Sequence, residues 1–177
     1  MSSARQPPGV VPSTRSSWLA ADLEYESALR GALCRHLLRL DAIDRSSRFG
    51  AAMSDTGIER YAEGIDVDPG RSCVVRSEDG EVVALAELRL LHGDLQSLAE
   101  IAFTVDAGWR GRGLARTLLS NLIALAATAG VTSLLAQVRV GNASMLSILR
   151  NAGMQFRRDG AEMIGTLTLD APARRSS

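Results

Sequence analysis

The sequence predicts an α/β or α+β domain built on a mixed β-sheet, and three observations carry that expectation. Strand-like runs lie both before and after a central β-α-β stretch, two of the turns joining them are Asp-Gly pairs, and a glycine-rich turn opens a long apolar helix. Hairpins make antiparallel neighbours and a helical crossover makes a parallel one, so the combination calls for a mixed sheet. The 177 residues suffice for one domain with a substantial core and not for two of ordinary size.

The elements follow in order. Residues 1–17, with three prolines, five serines and no periodicity, and residues 171–177 read as tails, which leaves 18–170 for the domain. Between 23 and 40, Ala28, Leu29, Ala32, Leu33, Leu37 and Leu40 recur at three- and four-residue spacings, the mark of an amphipathic helix. His36 falls within it and reads as a helix-surface histidine. Ser54-Asp55 caps a short helix through Ile58, Tyr61 and Ile65, which Asp68-Pro69-Gly70 closes. Strand-like runs at 73–76 and 82–91 flank the turn around Asp79-Gly80 as a hairpin.

His92-Gly93-Asp94 turns the chain into a third run, 98–105. There Ala99, Ile101, Phe103 and Val105 share one face, while Leu98, Glu100, Ala102 and Thr104 share the other. After the turn at 106–113, Leu114, Leu118, Leu119, Leu122, Ile123, Leu125 and Ala126 trace a helix that stops at Gly130. A buried strand at 131–140, a helix at 143–151 ended by Gly153, and a hairpin at 154–158 and 162–169 around Asp159-Gly160 complete the chain.

Composition narrows the function. Apolar residues at 46% and charged residues at 23% suit a folded soluble protein, and twenty basic against twenty acidic side chains give a net charge of +0. No global field draws this chain to nucleic acid or to an anionic membrane. Cys34 and Cys73 show neither CxxC spacing nor a histidine cluster, so neither a disulfide framework nor a metal site is expected. The apolar stretch at 114–131 is broken by Arg116, Ser120, Asn121 and Gly130 and reads as a core helix. With no signal-like segment at the start, the expected address is the cytoplasm.

The turn before that helix carries the chemistry. Gly108, Gly111 and Gly113 let a ligand approach the backbone, and a helix N-terminus offers unpaired N–H groups and a positive dipole end. No acidic residue occupies the first turn of the helix, and Arg110, Arg112 and Arg116 surround it. An external phosphate fits there. The alternative is a loop of solvated arginines; neither the dinucleotide fingerprint nor a Walker A loop is met.

The string Val105-Asp106-Ala107-Gly108-Trp109-Arg110-Gly111-Arg112-Gly113-Leu114-Ala115 resembles the central motif of the GNAT acetyltransferases, Gln/Arg-x-x-Gly-x-Gly/Ala followed by a long apolar helix. Arg110, Gly113 and Ala115 take the signature positions. Asn142-Ala143-Ser144-Met145-Leu146 and Ala152-Gly153-Met154 resemble the family's later Asn…Gly-Phe segment, with Met154 in place of Phe. The likeness spans roughly 25–169 and in motif lies nearest the bacterial protein lysine acetyltransferases of this family.

The resemblance implies a mixed central sheet with helices on both faces and two splayed central strands, here 98–105 and 131–140, with acetyl-CoA between them as cosubstrate and no metal. It implies cofactor contacts from Phe103 and Val105 on the first strand, from Arg110, Gly111, Arg112, Gly113, Leu114 and Ala115 on the pyrophosphate, and from Asn142 and Met145 near the next helix. It implies Glu100 as general base, because an ammonium must lose a proton before it can attack a thioester. A glutamate among Ala99, Ile101 and Ala102 is otherwise a charge on a solvated or ion-paired sheet face. The tyrosine that many members use to protonate the leaving thiolate is replaced by Leu149, with Ser144 a weaker alternative.

The acceptor implied is a primary amine, on a protein lysine or a small molecule. Asp41, Asp44, Asp55, Glu59, Glu63, Asp66 and Asp68 make an acidic rim suited to a cation, diluted by Arg45, Arg48 and Arg60. A non-catalytic acyl-CoA-binding sensor or regulatory module is the competing reading. A homodimer is compatible with the family, while nucleic acid and membrane are not expected partners.

Overall fold

In the computed structural model, which describes residues 20–68, 70–91 and 98–169, the chain forms α1 (Ala20–Leu38), α2 (Ala42–Phe49), α3 (Asp55–Glu63), β1 (Ser72–Arg76), β2 (Val82–Leu91) and β3 (Leu98–Val105). A 3-10 turn (Ala107–Trp109) leads to α4 (Leu114–Thr128), β4 (Ser133–Arg139), α5 (Ala143–Asn151), β5 (Gln155–Asp159) and β6 (Glu162–Thr168). The tails expected at 1–17 and 171–177 and the turn expected at 92–94 lie outside the described residues.

The six strands form one mixed sheet in the order β1-β2-β3-β4-β6-β5, antiparallel throughout except where β3 meets β4. That parallel pair is short. Leu98, Ala99 and Glu100 face Ser133, Leu134 and Leu135, and the register ends there, although both strands continue. Beyond Glu100 the two strands diverge, and β4 keeps its full pairing with β6 instead. The splay at the centre of the sheet is therefore present.

Two cores hold the layers. On one side Ala84, Ala86, Leu88, Ala99 and Ile101 pack against the apolar stripe of α4 and extend to Leu146 and Leu149 of α5. On the other side Val82 and Leu85 pack beneath Leu29, Leu33 and Leu37 of α1 and Ile58 and Ala62 of α3. β2 feeds both: from Ala84 onward its residues alternate, with Ala84, Ala86 and Leu88 in the first core and Leu85 in the second, while at its start, where the pairing with β1 shifts register, Val83 joins the first core and Val82 the second.

Two expectations are corrected here. His36 is not on the helix surface but completely buried, because its spacing of three from Leu33 and four from Leu40 places it on the inward stripe of α1. Its Nε2 lies 2.7 Å from Thr104 Oγ1, and its Nδ1 lies 2.8 Å from Asp106 Oδ1 at an angle that leaves both atoms without an aligned hydrogen bond. The second correction is α2, which the pattern of apolar residues did not announce. It buries no residue and is held at its start by Asp41, whose side chain accepts from Asp44 N–H at 2.8 Å.

Candidate active site

The splay opens into a cleft of about 2040 Å3. Its walls are the free halves of β3 and β4, its far end is the turn into α4, and α2 and α3 flank the opposite end. No gap of this kind can stay unsolvated or unliganded, because strand edges carry unpaired N–H and C=O groups. Asp106 N–H donates to Val83 O at 2.9 Å, so by alternation Phe103 and Val105 direct their own backbone groups to the other edge, into the gap. The main chain of the two strand residues expected to meet the cofactor thus faces the gap.

At the far end, Gly111 and Gly113 adopt φ of +74° and +82°, a region in which a β-carbon is strained, and open space fronts both α-carbons. These turns aim successive amides outward. The N–H groups of residues 111–115 find no acceptor among the described residues, whereas those of Trp109, Arg110 and Arg116 are taken by Asp106, Ala107 and Gly113. No side chain caps α4 and no acidic residue sits in its first turn. Five consecutive free donors at the positive end of a helix dipole make an anion site.

The arginines there are less available than the sequence suggested. Arg110 turns back along the cleft, donating from Nε to Val105 O at 3.1 Å and from Nη2 to Asp44 of α2. Arg112 stacks over the Trp109 ring at 4.5 Å and bonds Gly108 O. The candidate anion site is thus built of main chain. At the other strand, Asn142 accepts from Met145 N–H at 3.1 Å through its side-chain oxygen as the cap of α5, which leaves its amide NH2 wholly unspent. Met145 lines the cleft and packs partly into the core. Leu149 is fully buried in that core, while Ser144 is exposed at the cleft edge.

Glu100 lies where the strands begin to part. Its side chain, 21% exposed, makes an ion pair with Arg89, directly opposite on β2 and 73% exposed. It faces the α1–α3 side of the sheet and lines the cleft, which a solvated structural glutamate at a sheet edge would not need to do. A diagonal neighbour on the same face, Glu87, was not anticipated. Its carboxylate accepts from Tyr61 Oη at 3.0 Å and from Arg48, which also reaches Tyr61 Oη at 2.6 Å. Burial, with Arg48 opposing, pushes the Tyr61 hydroxyl up to about 12. Burial disfavours the charge on Arg48, but Glu87 and Tyr61 outweigh it and hold the guanidinium further toward its charged form. A signal for this cluster was legible: Glu87 interrupts the apolar run of β2 as Glu100 interrupts β3.

Most of the acidic rim is engaged in local structure. Asp41 caps α2, Asp44 pairs with Arg110, Asp55 pairs with Arg45 at 2.6 Å, and Asp66 accepts from Asp68 N–H at 3.0 Å. Only Asp44 and Asp66 of the seven line the cleft. The rim's charges are mostly spent on local structure.

A central sheet split between two strands, with an amide nest at one end of the gap and a carboxylate at its apex, defines an acyl-CoA-binding transferase fold. The chain belongs to the acetyltransferase (GNAT) family, whose sequence model matches residues 35–154, more than half of its length. Its members use acetyl-CoA, so this chain is an N-acetyltransferase with that cosubstrate. Solved structures share the fold. The GNAT domain of S. lividans PAT is 22% identical with a TM-score of 0.65, over 79% of this chain and 85% of that one. A GCN5-related N-acetyltransferase from Kribbella flavida is 19% identical with a TM-score of 0.65, over 80% and 93%. The acetyltransferase yncA from Salmonella typhimurium, solved with its cofactor acetyl-CoA, is 20% identical with a TM-score of 0.56, over 87% and 94%. No curated protein sequence matches. No helix among the described residues is long and apolar enough to cross a membrane.

Proposed function

We propose that this enzyme transfers the acetyl group of acetyl-CoA to a primary amine, on a protein lysine or a small molecule, with Glu100 as general base. The observation that carries the assignment is the position of Glu100: a carboxylate lining the cleft where β3 and β4 part, restrained only by an exposed arginine. An exposed ion pair contributes little, so an incoming ammonium displaces Arg89 at small cost. Glu100 then takes the amine proton, directly or through water, the nitrogen attacks the thioester carbonyl, and the C–S bond breaks. Leu149 holds no proton, so water in the open cleft protonates the thiolate.

The cofactor assignment rests on main chain. Phe103 and Val105 bind the pantetheine arm, Gly111, Arg112, Gly113, Leu114 and Ala115 hold the pyrophosphate by their amides, Arg110, whose own N–H is spent on Ala107 O, flanks that turn, and Asn142 and Met145 close the pantetheine end. Residues 18–170 form the catalytic domain in this reading, and two free thiols, Cys34 and Cys73, accord with a cytoplasmic address.

A Glu100→Gln variant tests the base. It keeps the side-chain shape, so acetyl-CoA affinity should stay within about two-fold while turnover falls by about 10²- to 10⁴-fold. Turnover at the wild-type rate would take the role from Glu100.

A further inference from the structure

The cleft contains a buried cation that the chemistry above does not use. Arg48 closes α2, and its side chain is only 9% exposed, yet it lines the cleft beside Glu87 and Tyr61. The guanidinium lies 5.1 Å and 5.3 Å from the Phe49 and Tyr61 ring centres, which fixes its plane. Both of its hydrogen bonds, to Tyr61 and to Glu87, leave from Nη2. Nε is buried with no partner, and Nη1 makes no hydrogen bond among the described residues. A charged, buried group with most of its donors unspent is costly unless something outside the chain takes them.

The charge around it points the same way. Seven arginines and five carboxylates line the cleft. Of the carboxylates, Asp44, Glu87 and Glu100 already face arginines. Arg60 and Arg71, at the α3 end, form no ion pair among the described residues. Asp66 stands against them at that end, which leaves the cleft end away from the amide nest one positive charge in excess.

We infer that Arg48 is a specificity-determining residue that receives a carboxylate of the acceptor, and that the acceptor is a small amino acid presenting its amine to Glu100. This inference rests on the transferase reading above and narrows its acceptor class. Glu87 and Tyr61 are positioning residues: they hold Arg48 charged and oriented, so that Nη1, the unspent nitrogen that is not sealed off, meets the carboxylate beside Nη2. Glu87 and Glu100 are diagonal neighbours on one sheet face, because Glu87 opposes Ala102 and Arg89 opposes Glu100. Amine and carboxylate sites thus lie within the span of one small molecule.

The test measures thiol release from acetyl-CoA with the common L-amino acids, each beside its amide and its decarboxylated amine. The wild type should prefer at least one amino acid over both twins by ten-fold or more in kcat/KM, with the difference in KM. Arg48→Gln should collapse that preference toward one with acetyl-CoA affinity unchanged, and Arg48→Lys should restore part of it, since an ammonium attracts a carboxylate without its fork. Amides and plain amines acetylated as well as the acids would overturn the carboxylate site and leave the transferase reading intact. Transfer to no amine in the panel would overturn both. Should Arg48→Gln fail to melt cooperatively, the comparison of twins on the wild type alone decides.

Discussion

Burial of His36 between α1 and the end of β3 writes a pH dependence into the stability of the protein. Desolvation lowers its proton affinity, and the nearby Asp106 carboxylate opposes this without reversing it. The folded state therefore binds the proton less readily than the unfolded chain, whose histidine titrates near 6.5. The stability it carries is present above that value and lost as pH falls below it. Urea unfolding at pH 7.5 and 5.5 should show the wild type weaker at the lower pH. A His36→Gln variant should show a flatter profile, since an amide can bond Thr104 without titrating. Equal slopes in both proteins would assign the pH dependence elsewhere.

At the scale of elements, the turn into α4 is the proposed seat of the pyrophosphate. Alanine at Gly113 would have to adopt φ near +82°, a strain of about 1 to 2 kcal/mol. It would also project a methyl into space now open before the amides. Gly113→Ala should weaken acetyl-CoA binding by at least ten-fold in calorimetric titration while costing modest stability. The helix α2 is a different case. Asp41→Ala removes its cap, worth about 1 kcal/mol of helix stability, and should speed amide exchange in residues 42–49 with little change in the global melt.

These two elements also mark what the sequence could and could not disclose. The glycine turn was legible because backbone conformation and phosphate chemistry both demand small residues at fixed places. β3 was legible from its alternation, β2 from an apolar run beside an Asp-Gly turn, and α5 from the glycine that ends it. α2 was not, because with no buried residue it has no stripe to read, and Ile43, its first apolar side chain after the start, is 74% exposed. The acidic rim misled for a related reason: caps, turns and ion pairs consume carboxylates through contacts that spacing does not reveal. Tyr61, Arg48 and Glu87 come from three elements, and only the fold brings them together.

For the molecule as a whole, the splayed sheet leaves strand edges unpaired, and the proposed function has the cosubstrate complete them. In the proposed binding mode, two strand edges and five helix-end amides, unpaired in the protein alone, gain partners from acetyl-CoA. Binding to the folded chain alone then stabilises it by mass action, about 2.7 kcal/mol at a hundred-fold excess over Kd. Thermal unfolding should shift upward by several degrees with acetyl-CoA and not with NAD or ATP. The most direct test of the account is a titration of isotope-labelled protein with acetyl-CoA followed by amide NMR. The account predicts saturable shifts concentrated at residues 111–115, at Phe103 and Val105, and at Asn142 and Met145. Saturation with shifts confined to other parts of the cleft, and quiet amides at 111–115, would contradict it.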